Sequence, residues 1–151
     1  MSSGWRWVVT DNRQCRRAQV NMSAKYPVNA GCIIGGNPDN IHFSPDELNN
    51  FQGTGCYFQV FGNITIGKGV YIACNVGIIT ANHKTSDLDS HEDAKNVIIG
   101  DYSWIGMNSV ILPGVILGPH TIVGAGSVVT HSFIEGNCVV AGNPAKIVRK
   151  L

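Results

Sequence analysis

The stretch Ile99-Gly-Asp-Tyr-Ser-Trp-Ile105-Gly-Met-Asn-Ser-Val-Ile111-Leu-Pro-Gly-Val-Ile-Leu117-Gly-Pro-His-Thr-Ile-Val123-Gly-Ala-Gly-Ser-Val-Val129 carries a branched aliphatic at every sixth position. That spacing fits neither the 3.6-residue turn of a helix nor the alternation of an isolated strand. It reads as a stacked repeat whose unit is one short strand plus a turn. Gly100, Gly106, Gly118 and Gly124 follow four of the aliphatics, as a tight corner requires. Val97, Ser103, Ser109, Val115, Thr121 and Ser127 stand two positions before them, which gives strand alternation around each inward residue. Upstream, Val60, Ile66, Ile72 and Ile78 keep the same phase. Three hexads make one triangular coil, and coils stacked at about 4.8 Å pair each backbone with the turns above and below while burying a continuous aliphatic column. The expected fold is an all-β prism of stacked rungs.

Working outward, the chain of 151 residues reads as a single domain. Residues 1–50 form an irregular N-terminal cap with early coils, 51–142 the regular coils and 143–151 a C-terminal tail. Ile33-Ile-Gly-Gly, Ile41-His-Phe43 and Phe51 supply the material of a degenerate first coil. A cap is needed because the open end of a stacked coil exposes its aliphatic column and unpaired strand edges. Trp5 and Trp7, with Arg13, Arg16 and Arg17, belong to a short helix or an extended arm packing over that end, and the arginines read as a solvated face rather than a membrane-surface or nucleic-acid patch.

Charged residues make up only 14% of the chain and hydrophobic ones 44%, with a net charge of +1. A surface this poor in charge implies that outer faces are covered by other subunits, so a homo-oligomer is expected. No apolar run reaches the length of a membrane span, and Met1-Ser-Ser-Gly-Trp-Arg lacks the pattern of a secretion signal, which points to a cytoplasmic protein. The five cysteines, Cys15, Cys32, Cys56, Cys74 and Cys138, form no CxxC pair and are an odd number, so reduced thiols are expected. The sequon-like triplets at Asn21 and Asn63 are read as chance.

The register breaks once. From Ile78 to Ile99 the chain runs 21 residues where 18 keep phase, and the segment from Thr80 to Asn96 is mostly polar. A loop is extruded at about 80–96, and loops on a rigid scaffold are commonly functional. His83 stands where it leaves the coil.

From Val70 to Leu151 the chain resembles the hexapeptide-repeat acyltransferases, in particular the maltose, galactoside and xenobiotic O-acetyltransferase branch. The resemblance rests on Ile72-Ala-Cys-Asn75, Ala81-Asn-His83, Trp104-Ile-Gly106, Ile111-Leu-Pro-Gly114, Gly124-Ala-Gly-Ser-Val-Val-Thr130 and Ala141-Gly-Asn-Pro-Ala145, in that order. It implies a left-handed parallel β-helix, a homotrimer with active sites between subunits, and acetyl-CoA as donor without a metal. Cys56-Tyr-Phe-Gln-Val-Phe-Gly-Asn63 departs from the Asn-Phe-Asn type segment that orients the acceptor in sugar-acetylating relatives, and Met107 replaces a small polar residue.

His83 occupies the position of the family's catalytic histidine. Acetyl transfer from a thioester to a hydroxyl needs a base and a stabilised oxyanion, and a neutral imidazole near pH 7 meets the first need. Its second ring nitrogen needs an acceptor, for which Asp87, Asp89, Glu92 and a backbone carbonyl are all candidates. The oxyanion falls to a backbone N–H on a neighbouring rung. Trp104 should point outward, as a packing residue between subunits or as part of a ligand groove. For the cofactor, Gly106 and Gly124-Ala-Gly126 offer small outward residues along which a pantetheine arm can lie. The resemblance adds Trp104, Ala125, Thr130, Lys146 and Arg149.

The expectation is therefore O-acetylation of a saccharide of the capsule or lipopolysaccharide type, hence a role in polysaccharide biosynthesis. Transfer to an amine or to a xenobiotic hydroxyl, and a non-catalytic β-helix scaffold, are the alternatives. A zinc hydratase like the γ-class carbonic anhydrases needs three histidine ligands, and no histidine follows His120 at that family's short spacing.

Overall fold

The computed structural model describes residues 3–151, with side chains from Arg6 onward, so the side chain of Trp5 lies outside the described ones. Short strands stack into three faces of a prism. The first face holds β1 (Ile33–Gly36), β3 (Tyr57–Val60), β6 (Gly77–Ile79), β11 (Val110–Ile111) and β14 (Val128–Val129). The second holds β2 (Ile41–His42), β4 (Ile64–Ile66), β9 (Val97–Ile99) and β12 (Ile116–Leu117). The third holds β5 (Tyr71–Ile72), β10 (Trp104–Ile105), β13 (Thr121–Val123), β15 (Cys138–Gly142) and β16 (Ala145–Lys150). Pairing within the faces is parallel except between β15 and β16, which are antiparallel. The fold is a left-handed parallel β-helix.

The periodic aliphatics are the core. Ile99, Ile105, Ile111, Leu117, Val123 and Val129 are all buried, and each full burial is worth about 1.5–3 kcal/mol. Register stacks Ile72, Ile105, Val123 and Val140 on the third face, and Ile66, Ile99 and Leu117 on the second. The residues two positions earlier also point inward: Ser103, Ser109, Thr121 and Ser127 are buried. Their hydroxyls are satisfied by turn carbonyls, Thr121 and Ser127 donating to Gly118 and Gly124 of their own turns at 2.7 and 2.6 Å. Small corner residues have a steric cause. A Cβ on Gly118 would lie 2.2 Å from the Ile134 carbonyl oxygen of the next coil.

Two register expectations change. On the first face Ile78 stacks on Phe58, not on Val60, because the second coil is longer than three hexads; Val60 is buried two residues further on, beside Gly36. Stacked partners are 33 residues apart across the polar loop, Ile66 to Ile99, and 18 apart beyond it, Ile99 to Leu117. The loop thus inserts 15 residues into a single corner, rather than 3 into a full coil. It forms an antiparallel hairpin of β7 (His83–Lys84) and β8 (Asp87–His91).

At the N-terminal end, helix α1 (Ser3–Ala18) packs through Asp11 and Cys15, with Arg13, Arg16 and Arg17 exposed. Burial pushes the Asp11 carboxyl above its ordinary range. The first coil places β1 and β2 on the first two faces, but a 3-10 helix, Pro45–Phe51, replaces its third strand. From that helix the buried Glu47 carboxylate accepts from Gly69 N–H at 2.7 Å and Val70 N–H at 3.1 Å, and Asn50 Oδ1 accepts from Ile72 N–H at 2.8 Å. These side chains satisfy the free edge of β5. The Asn21 amide does the same for β1, donating to the Cys32 carbonyl and accepting from Ile34 N–H. Residues 145–150, expected as a tail, are the strand β16. No helix among the described residues is long and apolar enough to cross a membrane.

Candidate active site

His83 opens β7, directly after the chain leaves the first face at Ile79. The exit is pinned. Gln59 Oε1, buried under the corner, accepts from Thr80 N–H at 3.1 Å and Ala81 N–H at 2.8 Å, and the Thr80 hydroxyl donates to the Gln59 carbonyl at 2.7 Å. Across the hairpin base, Lys95 N–H donates to the Thr80 carbonyl and Glu92 N–H to the Asn82 carbonyl. The segment is polar and exposed, yet both its legs are tied to the scaffold.

The His83 ring is oriented by backbone. Nδ1 lies 2.7 Å from the Leu88 carbonyl oxygen, and a carbonyl can only accept, so Nδ1 carries a proton and in the neutral ring Nε2 is the nitrogen with the lone pair. Of the acceptors left open by the sequence, the backbone carbonyl is the one in place. Asp87 is occupied elsewhere: its carboxylate accepts from the Ser90 hydroxyl and from Asp89 N–H, and those bonds hold its pKa below the ordinary carboxylate value. Asp89 is exposed on β8 and enters this turn through its backbone. His91 pairs with His83 across the hairpin, ring centroids 4.2 Å apart, and Phe61 meets His91 edge-on at 5.0 Å.

The other expected site residues fall into two groups. Gly106, expected to face outward, is instead buried at the edge between the third and first faces, because the next coil packs so close that a Cβ would sit 2.7 Å from Ala125 N. The next coils carry Ala125, exposed, and then Ala141, which pairs with Lys146. Trp104, 54% exposed, stands in an outward column of the third face with Tyr71, Ile122, Val139 and Arg149. Thr130 lies instead at the edge between the first and second faces, the edge from which the hairpin leaves, its hydroxyl 3.2 Å from His131 Nδ1. One chain therefore sets His83 and Thr130 on one edge and Gly106, Ala125 and Lys146 on another. His83 itself is exposed to solvent.

No group of three or more His, Cys, Asp or Glu placed to hold a metal ion occurs among the described residues. His120 stacks on Tyr102, and His131 packs at a tilt against Phe133, each at a corner of the prism. Gln59, Thr80, Phe61 and His91 are the contributors that the repeat pattern does not mark.

The family model described as bacterial transferase hexapeptide (six repeats) matches residues 96–131, the coils after the hairpin. Those residues carry the hexapeptide repeat of that family. Among sequences, this hexapeptide-repeat chain is 46% identical over 115 residues to a provisionally named acetyltransferase of Dictyostelium discoideum, covering 74% of this chain and 58% of that one. Among structures, it is similar to a maltose O-acetyltransferase from Clostridium difficile 630, at 34% identity and TM-score 0.59, over 80% of this chain and 59% of that one. A hexapeptide-repeat acetyltransferase of Vibrio cholerae O1 biovar eltor, solved in complex with acetyl coenzyme A, matches at 29% identity and TM-score 0.62. That match covers 80% of this chain and 61% of the other. The chain thus spans about three fifths of the length of these relatives.

Proposed function

We propose that this hexapeptide-repeat chain is an acetyl-CoA-dependent O-acetyltransferase that acetylates a hydroxyl of a saccharide, of the capsule or lipopolysaccharide type, with His83 as general base. The observation that carries the reading is the bond from His83 Nδ1–H to the Leu88 carbonyl, which in the neutral ring leaves Nε2 as the acceptor. The maltose O-acetyltransferase and the acetyl coenzyme A complex among its structural relatives support the donor and the acceptor class.

In the mechanism, Nε2 takes the acceptor hydroxyl proton as the oxygen attacks the thioester carbonyl. The tetrahedral oxyanion is stabilised by a backbone N–H on a neighbouring rung. Collapse breaks the carbon–sulfur bond, and the thiolate of CoA leaves with the proton returned by the imidazolium. Trp104 and Gly106 border the thioester arm, Ala125 and Thr130 contact it further along, and Lys146 and Arg149 neutralise the phosphates. Because His83 and Gly106 stand on different edges of one prism, a homotrimer that sets the hairpin edge of one copy against the cofactor edge of the next completes each site. The charge-poor surface and the outward Tyr71 and Trp104 suit that packing.

The test is release of CoA thiol from acetyl-CoA in the presence of a sugar panel that includes maltose, galactose and N-acetylglucosamine, with mass and linkage of the product. The wild type should release thiol only when an acceptor is present, and His83→Ala should lose about 10²- to 10⁴-fold in turnover. A His83→Ala variant at the wild-type rate removes His83 from the mechanism. An acetylated amine in place of an ester moves the protein to N-acetylation.

A further inference from the structure

We propose that His91 is a positioning residue for His83, acting by ring packing; the inference rests on His83 being the base. The hydrogen bond to the Leu88 carbonyl fixes one direction in the plane of the His83 ring. It does not fix the tilt of that plane, and His83 is exposed on a two-stranded hairpin, a unit that is marginal on its own in water. The second constraint is His91. As the directly opposed residue on β8, it lies with its ring centroid 4.2 Å from that of His83 and an interplanar angle of 36°.

His91 is itself backed by the prism. Phe61, at the corner after β3, meets the His91 ring at 5.0 Å and 79°, the edge-to-face arrangement that aromatic rings prefer. Phe61 to His91 to His83 is thus a continuous row of ring contacts from the stacked coils to the base. Nearby, the Gln59 and Thr80 bonds pin the backbone where the hairpin leaves. With the tilt removed as a freedom, Nε2 is held to one line of approach, which is what positional catalysis requires of a base. This role asks His91 for a flat ring of suitable size and for no proton. Phenylalanine should therefore replace it and alanine should not.

The experiment compares His91→Ala, His91→Phe and His83→Ala in two readouts. The first needs no acceptor: imidazole ¹⁵N–¹H correlation spectra of the labelled protein. His83 should appear in wild type and in His91→Phe as one sharp set of ring signals with Nδ1–H held to Leu88, and in His91→Ala as exchange-broadened signals of a ring free to tilt about that bond. The second is acetyl transfer from acetyl-CoA to the sugar panel. Turnover should fall about tenfold or more in His91→Ala with KM for acetyl-CoA within twofold, and His91→Phe should recover most of the loss. If His83→Ala is inactive while His91→Ala matches wild type in both readouts, the positioning role is wrong and the base stands. If His91→Phe is as impaired as His91→Ala, a packing role is overturned. If His83→Ala remains active, the reading of the base fails first, and the spectra still decide whether His91 orders the ring.

Discussion

Gln59 and Thr80 hold each other from both sides: the Gln59 side-chain oxygen accepts from Thr80 N–H, and the Thr80 hydroxyl donates to the Gln59 carbonyl. Thr80 Oγ1 also accepts from Gly62 N–H at 3.0 Å, so one hydroxyl ties the third coil to the corner of the second. The chain departs into the hairpin immediately after this lock. A rigid rung is thereby converted into a rigid exit.

Gln59→Leu keeps the size of the side chain and removes the acceptor, leaving the buried Thr80 and Ala81 N–H groups unpaired. The expected cost is about 1–3 kcal/mol in urea unfolding. Amide exchange should accelerate through residues 80–95 before the coils beyond Val97 respond. Gln59→Glu retains the acceptor and should protect the same amides better than Gln59→Leu.

Asp87 ties the hairpin turn through Ser90 and the Asp89 N–H, and those bonds hold its carboxyl below the ordinary carboxylate range. A carboxyl whose folded pKa is depressed contributes stability that is fully present above its unfolded pKa and is lost as pH falls through the folded value. The turn should hold unchanged from neutral pH down to about 4 and loosen below that. Amide exchange of Asp89 and Ser90 compared at pH 3 and pH 5 reads this out, and Asp87→Asn should flatten the difference.

Ile105→Ala removes a fully buried rung from the third-face column and should cost about 2–5 kcal/mol. Gly118→Ala should be as damaging for the opposite reason, since the added Cβ meets the Ile134 carbonyl oxygen and the Gly136 nitrogen at 2.2 and 2.5 Å. Thermal denaturation of both variants checks the pair. A Gly118→Ala protein of wild-type stability would mean the coils are spaced more widely than described.

The thiols give an independent check on burial. Cys15, Cys32, Cys56 and Cys138 are buried and Cys74 is half-buried; all five are free. Cys32 lies against Cys56, and that neighbour together with burial raises its pKa and keeps it protonated. An aromatic disulfide reagent should label Cys74 first in the native protein and all five after denaturation, with mass mapping to assign the sites.

The inward column was legible because burial in a stacked coil repeats with the backbone, and Ile99 through Val129 have no register error to hide it. The hairpin was visible as a lapse in that period, and the expected bounds of about 80–96 match the segment between β6 and β9, although the phase count gave an excess of 3 residues where 15 are inserted. Counting residues cannot tell whether an interruption falls within a corner or spans a whole turn of the coil. Phe58 escaped because a phenylalanine off the six-residue phase looks like a departure from the column, when it is the column in a longer coil. The partners of the candidate base are the least legible. Leu88 acts through its carbonyl, which no residue type reports, and the His83 to His91 contact depends on the register of two exposed polar strands. Glu47 and Asn50 would be read as surface residues of a turn, since nothing local says that strand edges lie beside them.

Those two residues, with Asn21, bear on how the molecule ends. A coil of parallel rungs has no natural length: every terminal rung is a template on which an identical rung from another molecule can lie. At one end the Glu47 carboxylate and the Asn50 and Asn21 amides already occupy the positions a further strand would take on two of the faces. At the other, β16 runs antiparallel to β15, so the outermost strand of the third face has the wrong direction to continue the winding. On those faces a further parallel rung cannot simply be added, because the bonds it would make are already taken or the strand it would meet runs the other way.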